Sequence, residues 1–343
     1  MPKPFLDVLN GERRTPPPIW LMRQAGRYLP EYRASRQKAG GFLDLCYTPD
    51  FAVEVTLQPI RRYGFDAAIL FSDILVVPDG LGQDVSFVEG TGPVLKPIRE
   101  AADIAALSTK GLQEKLAPVY EAVKRLSAQL DSKTALIGFA GAPWTVACYM
   151  IEGRTSRDFH NIKAMCYGQP DIFARLMDLL VEGTVDHLSR QVEAGVEVVQ
   201  IFESHAGVLP EPEFRRWVID PIRRIVAALR ERWPALPIIG FPRGAGAMYT
   251  DFAEETGITA VSLDTTVSLS WACEHLPKGM PIQGNLDPVF LLTGGAGMEA
   301  AVERIVTECR GRPHIFNLGH GVDKHTAPET VERLVSKIRS LSY

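Results

Sequence analysis

Eight short apolar runs punctuate this chain, with helix-patterned stretches between them. They are PIWLMR (18–23), DAAILFSD (66–73), TALIGFAG (134–141), VEVVQIFES (196–204), LPIIGFPRG (236–244), TAVSLD (259–264), MPIQGNLD (280–287) and PHIFNLGHG (313–321). Most are bounded by Gly, Pro or Asp, as strand ends usually are. Strands that alternate with helices pair in parallel, because the crossover needs the length of the helix. Eight such units favour an α/β fold of the closed (β/α)8 TIM-barrel type, with an open Rossmann-like sheet as the runner-up. No internal repeat and no linker rich in Pro, Ser or charge divides the chain, so a single domain over 1–343 is expected.

The helix candidates lie at 48–64, 111–130, 169–195, 211–234 and 327–342. The first opens with Thr48 as N-cap and Pro49 at N1, and closes near Gly64. Pro118 predicts a kink in the second, Gly195 ends the third, and Pro221 breaks the fourth. Two segments interrupt the alternation. DVSFVEGTGPVLKPI (84–98) reads as a hairpin around Gly90–Gly92, and GGAGMEA (294–300) as a flexible loop entering a helix.

The chain holds 41 acidic against 37 basic residues, a balance that argues against a general nucleic-acid binder. It leaves room for a local basic pocket, and MRQAGRYLPEYR (22–33) offers one: Arg23, Arg27 and Arg33 with Glu31 as the only acid. Cys46, Cys148, Cys166, Cys273 and Cys309 are odd in number and form no CxxC, which is poor disulfide and poor zinc spacing. The N-terminus has no apolar signal-peptide core, and no apolar run reaches the roughly 18 residues of a membrane helix. A reducing cytoplasm is the expected location.

Functional groups of a (β/α)8 barrel gather where strands end. Here those positions are polar: Arg23 and Arg27 after the first run, Ser72 and Asp73 after the second, and Trp144 and Tyr149 beyond the third. Glu203, Ser204 and His205 end the fourth, Arg243 the fifth and Asp264 the sixth. Asn285 and Asp287 end the seventh, and His320 the eighth. Two fixed guanidiniums suit carboxylate or phosphate equally. Asp73 reads either as an N-cap or as a carboxylate aimed into the mouth, Arg33 as surface or site, and His320 as structural or functional. The glycines around His320 would let backbone approach a ligand. Gly244-x-Gly246 and TGGAGME lack the pattern of a phosphate loop, and no HExxH or HxC signals a metal.

RQAGRYLPEYR, FSDILVVPDGLG, GFAGAPWTVACYMIEG, FESHAG and FNLGHG together resemble, in order and over nearly the whole chain, the uroporphyrinogen decarboxylase family. The resemblance implies a TIM barrel, commonly a homodimer, with no metal and no organic cofactor. It implies stepwise removal of carbon dioxide from the four acetate arms of uroporphyrinogen III, giving coproporphyrinogen III for haem and related tetrapyrroles. Arg23, Gln24, Ala25, Gly26 and Arg27 match the family's first substrate-binding segment, and Arg36 a further cleft arginine. Asp73 matches the aspartate that contacts the pyrrole N–H groups. Tyr149, Ser204 and His320 match other substrate contacts.

Arg23, Asp73 and Tyr149 are the expected catalytic groups, with Arg23, Tyr149, His320 or a water as candidate proton donors. The chain departs from the family after LGHG, where VDKHTAPE brings in Lys324 and His325 and delays the proline to Pro328. Rival readings are a corrinoid or thiol methyltransferase of a related barrel and a non-catalytic tetrapyrrole carrier.

Overall fold

The computed structural model describes residues 3–88 and 90–341. Its main sheet is parallel and runs in chain order. The strands are β1 (Ala67–Ile69), β4 (Ala135–Gly141), β5 (Val198–Glu203), β6 (Ile238–Pro242), β7 (Ala260–Ser262), β8 (Ile282–Gln283) and β9 (His314–Ile315). Between β1 and β4 the chain makes an antiparallel hairpin, β2 (Val85–Val88) with β3 (Gly92–Leu95), at the expected place.

The run 18–23 is shorter as a strand than its composition suggests. Only Ile19 forms a bridge, to Phe316, because three prolines precede it and a turn follows. That bridge is nevertheless what closes the barrel. Phe316 N–H donates to Pro18 O (2.9 Å) on one side, and Asp66 N–H donates to Ile19 O (2.9 Å) on the other. The first run thus sits between the two edge strands, and the sheet does not end in open edges as a Rossmann-like sheet would.

Side chains alternate across the sheet with the two-residue period of strands. Ala67, Ala135, Ile137, Val198, Ile239, Phe241, Ala260 and Ile315 fill the barrel with Trp20. Their neighbours Ala68, Leu136, Val199, Ile238, Val261 and Phe316 pack under the helices. A buried polar layer crosses the interior. Trp20 Nε1 donates to Gln283 Oε1 (2.8 Å), and Gln283 Nε2 donates to Gln200 Oε1 and Ser262 Oγ (3.1 and 3.0 Å).

The helices follow the expected pattern with local differences. Pro49–Tyr63 begins at Pro49 and ends on left-handed Gly64, but the Thr48 side chain makes no cap bond. The stretch 111–130 is broken rather than kinked, into Leu112–Lys115 and Ala117–Gln129, since Pro118 fits only the first turn of a new helix. Pro170–Ala194 is one helix of 25 residues. Pro221 follows a π-helical turn, Arg215–Ile219, which absorbs the missing backbone donor without separating the flanking helices. The segment 294–300 is not a flexible loop, for Gly295–Glu308 is helical from Gly295 onward. The last helix is Pro328–Ser340, and the expected residue 342 lies outside the described residues. Among the described residues no helix is long and apolar enough to cross a membrane.

Candidate active site

The first run ends in a turn closed by Gln24 N–H donating to Leu21 O (2.9 Å), and Arg23 occupies it with φ +60°. A non-glycine residue in the left-handed region costs about 1 kcal/mol or more, so the surroundings must impose it. They do. Asn317 Oδ1 accepts from Met22 N–H (2.9 Å) and Leu318 N–H (2.7 Å), and Val322 N–H donates to Met22 O (2.9 Å). Gln24 is buried, with Oε1 accepting from Leu21 N–H (3.1 Å) and Nε2 donating to Ala67 O (3.2 Å). The Arg23 turn is therefore clipped to β1 and to the segment carrying His320. The side chain of Gln24 is spent on this clip, and its carbonyl accepts from the Tyr28 hydroxyl (2.8 Å). Half-buried Ala25 and Gly26 follow. A Cβ on Gly26 would stand 2.9 Å from Arg23 O.

Asp73 follows the end of β1 by four residues, past Phe71, whose ring packs on Tyr32 and Phe42. Asp73 Oδ1 accepts from Leu75 N–H (2.8 Å). The residue thus does both things its position allowed: it closes a turn before the helix Val76–Gly80 and keeps a carboxylate in the mouth. Burial raises its pKa from the usual 3.8 to about 6, against the opposing pull of the Leu75 N–H and Arg23.

Tyr149 comes from the helix Pro143–Glu152, which starts directly after β4. Burial raises its pKa. Asp73 adds to the effect and Arg23 opposes it, so the phenol lies in the field of both. His320 feels Arg23 as well. Burial, then Arg23, then Arg243 lower its pKa to about 4, leaving a neutral imidazole at pH 7. Ser204, half-buried, is the next inward position after Gln200 and Phe202 on β5. Arg23, Asp73, Tyr149 and His320 thus form one electrostatic group.

Arg27 and Arg36 lie further out. Both act on Tyr32, and the Arg36 guanidinium stands 5.0 Å over the Phe42 ring. Burial raises the Cys46 pKa, with Asp73 reinforcing and Arg36 opposing, which links Arg36 to the Asp73 side of the mouth. Arg33 has a different task. Its Nη1 donates to Arg27 O (2.8 Å) and Tyr28 O (3.2 Å), holding the loop that carries Arg27.

Several other polar strand ends serve the fold. Asp264 accepts from Gly244 N–H (2.6 Å), Tyr249 Oη (3.0 Å) and Thr266 N–H and Oγ1 (2.8 and 2.6 Å). Asn285 Nδ2 donates to Asp264 O and Val267 O, Asp287 caps the helix Pro288–Thr293, and Trp144 Nε1 donates to His205 O. The loop after His320 is an Asx turn in which Asp323 Oδ1 accepts from His325 N–H (2.8 Å). Lys324 and His325 are exposed, and Pro328 is the first residue of the last helix.

Asn317 escaped the sequence reading, and so did the packing role of Gly321 and the burial of Glu203, which is fully enclosed. The Thr145 hydroxyl donates to Glu203 Oε1 and accepts from His205 N–H (3.1 Å). Burial raises the Glu203 pKa to about 8, against the Thr145 bonds. Its proton-holding carboxyl ties the start of the Tyr149 helix to the loop of Ser204. An acid on the helix-facing side of β5, opposite a hydroxyl-bearing helix start, was the available signal.

The arrangement gathers guanidiniums that lack a counter-ion among the described residues. No ion pair among the described residues involves Arg23, Arg27 or Arg243, whereas Arg62 pairs with Glu31 and Glu332. No three of His, Cys, Asp and Glu converge into a metal-holding group among the described residues. Fold and site together define a (β/α)8-barrel protein with unpaired arginines and a titratable carboxyl in its mouth.

The comparisons narrow that class. The model of the family "Uroporphyrinogen decarboxylase (URO-D)" matches residues 2–341. The uroporphyrinogen decarboxylase of Rhodospirillum rubrum is 57% identical over 338 residues, covering 98% of this chain and 97% of that protein. That of Novosphingobium aromaticivorans is 51% identical over 342 residues, covering 100% of each. The chain belongs to the uroporphyrinogen decarboxylase family of carboxy-lyases. Among solved structures, a methyltransferase from Methanosarcina mazei superposes with a TM-score of 0.81 at 18% identity, covering 97% of this chain and 96% of that one. That likeness bears on the fold alone.

Proposed function

We propose that this chain converts uroporphyrinogen III to coproporphyrinogen III in haem biosynthesis, with Arg23, Asp73 and Tyr149 as its catalytic groups. The observation that carries the reading is that Arg23 acts at once on Asp73, Tyr149 and His320 in one barrel mouth.

The chemistry suits that group. Pyrrole is electron-rich, and protonating the ring carbon next to the one bearing the acetate arm gives a cation conjugated with the arm. The bond to the carboxylate then breaks, its electron pair moves toward the ring, and carbon dioxide leaves an exocyclic methylene. A second proton makes the methyl group, and the ring carbon releases the first. Each arm thus takes up one proton net and loses one carbon dioxide. The substrate is its own electron sink.

Asp73 accepts the pyrrole N–H groups and stabilises the cation where positive charge develops. Arg23, Arg27 and Arg36 hold carboxylates. Gln24, Ala25 and Gly26 shape the Arg23 turn, while Tyr149, Ser204 and His320 supply further substrate contacts. Homodimer assembly is part of the proposal, supported by the family resemblance. A cytoplasmic location is supported by five free cysteines.

The methyltransferase reading has only the barrel likeness behind it. The carrier reading shares the same arginines. Anaerobic incubation with uroporphyrinogen III separates carrier from enzyme: porphyrinogens with seven to four carboxylates are expected, and recovery of unchanged, bound substrate would sink the enzymatic proposal.

A further inference from the structure

Arg243 was visible as a strand end but has no part in the roles above. It directly follows β6, and its parity is that of Ile239 and Phe241, which point into the barrel. Its backbone is fixed on both sides. Arg243 N–H donates to Glu203 O (3.0 Å), and Gly207 N–H donates to Arg243 O (3.2 Å). Gly244 follows with φ +77°, and a Cβ on Gly207 would stand 2.2 Å from Gly244 O, so the β5 and β6 loops touch backbone to backbone. The base of the side chain is therefore rigid.

The guanidinium is exposed and has no counter-ion. Asp264, the acid near this loop, is already taken by Gly244, Tyr249 and Thr266. Arg243 joins no ion pair among the described residues. It lies close enough to His205 and His320 to lower the pKa of each, after burial, while Arg23 acts on His320 as well. Two unpaired guanidiniums thus share His320 as a common neighbour.

We propose that Arg243 is a second carboxylate anchor, gripping an arm of the tetrapyrrole on the β5–β6 side of the mouth while Arg23 serves the reacting arm. This rests on the proposed function. A ring bearing carboxylates around its rim is oriented only when held at two separated points, and a guanidinium fork on a fixed backbone supplies the second. Because this grip is the same before and during the chemical step, it acts on binding and leaves the barrier unchanged.

The test compares wild type, Arg243→Gln and Arg243→Lys in anaerobic steady-state turnover of uroporphyrinogen III, with NMR titration of His205 and His320 in the free proteins. Arg243→Gln is expected to raise KM about tenfold or more with kcat within about twofold. Arg243→Lys should fall between it and wild type, and both histidines should titrate at higher pH in Arg243→Gln. Unchanged KM, a loss confined to kcat, or unmoved histidine titrations would overturn the role of Arg243 while leaving the function intact. Absence of turnover by wild type itself would instead remove the proposed function, and the anchor with it.

Discussion

Gly321 and Arg23 occupy space that admits no further carbon between them. A Cβ built on Gly321 would stand 2.3 Å from Arg23 Cδ and 2.7 Å from its Cγ. The glycine after His320 thus seats the stem of Arg23. Its partner Gly319 is equally constrained, by Thr265 N at 2.4 Å. Beside the expected approach of backbone to a ligand, these glycines thus have a packing role.

Gly321→Ala should therefore act on function more than on stability. The displaced atoms belong to an exposed side chain that can move, so the expected stability loss is about 1 kcal/mol. Displacing the guanidinium should lower kcat/KM about tenfold or more. Thermal melts alongside steady-state assays check this. Wild-type kcat/KM in a folded Gly321→Ala protein would contradict it.

Asp73 sets an acid limb. Burial lifts its pKa from 3.8 to about 6, and only the ionised form stabilises a pyrrole cation. As pH falls below about 6, kcat/KM should drop about tenfold per unit, because that parameter reports groups of the free enzyme. Above about 6 the limb should level off. A pH–rate profile breaking near 4 instead would show that burial does not govern this carboxyl.

Arg33 belongs to the same basic segment but supports it from behind, through the carbonyls of Arg27 and Tyr28. Arg33→Ala is expected to cost about 1 kcal/mol of stability and to raise KM modestly with kcat unchanged. A collapse of kcat comparable to that of an Asp73 variant would mean that Arg33 meets the reacting group.

Glu203 predicts a pH dependence of stability. Its folded pKa of about 8 lies above the ordinary 4.5, so the folded protein retains a proton that the unfolded chain releases in that window. The stabilisation is complete below about 4.5 and is lost as pH rises toward 8. Glu203→Gln keeps an acceptor for Thr145 and needs no proton. It should gain on wild type by up to about 1.4 kcal/mol per pH unit across the window. Urea denaturation at several pH values measures the difference, and parallel curves for the two proteins would contradict it.

The alternation of apolar runs and helices made the barrel legible, because strand burial and helix amphipathicity are local patterns. The run 18–23 was found for the same reason, although its bridging role at Ile19 depends on partners nearly 300 residues away. The polar strand ends were legible as a set but not as individuals. Asp73, Asp264 and Asp287 look alike in sequence. All three accept a bond from two residues on, at Leu75, Thr266 and Val289. Only the further bonds from Gly244 and Tyr249 mark Asp264 as saturated, while Asp73 lies in the field of Arg23 and Asp287 opens a helix. Motif likeness, not local physics, picked out Tyr149 and Ser204. Asn317 stayed hidden because its partner, Met22, is in the first run.

The most direct test of the proposed mechanism is conversion of uroporphyrinogen III by Asp73→Ala, measured anaerobically beside wild type after both are shown to be folded. The predicted result is that wild type yields coproporphyrinogen III while the variant yields no decarboxylated product. Near-normal turnover by a folded Asp73→Ala protein would contradict the cation-stabilising role at its centre.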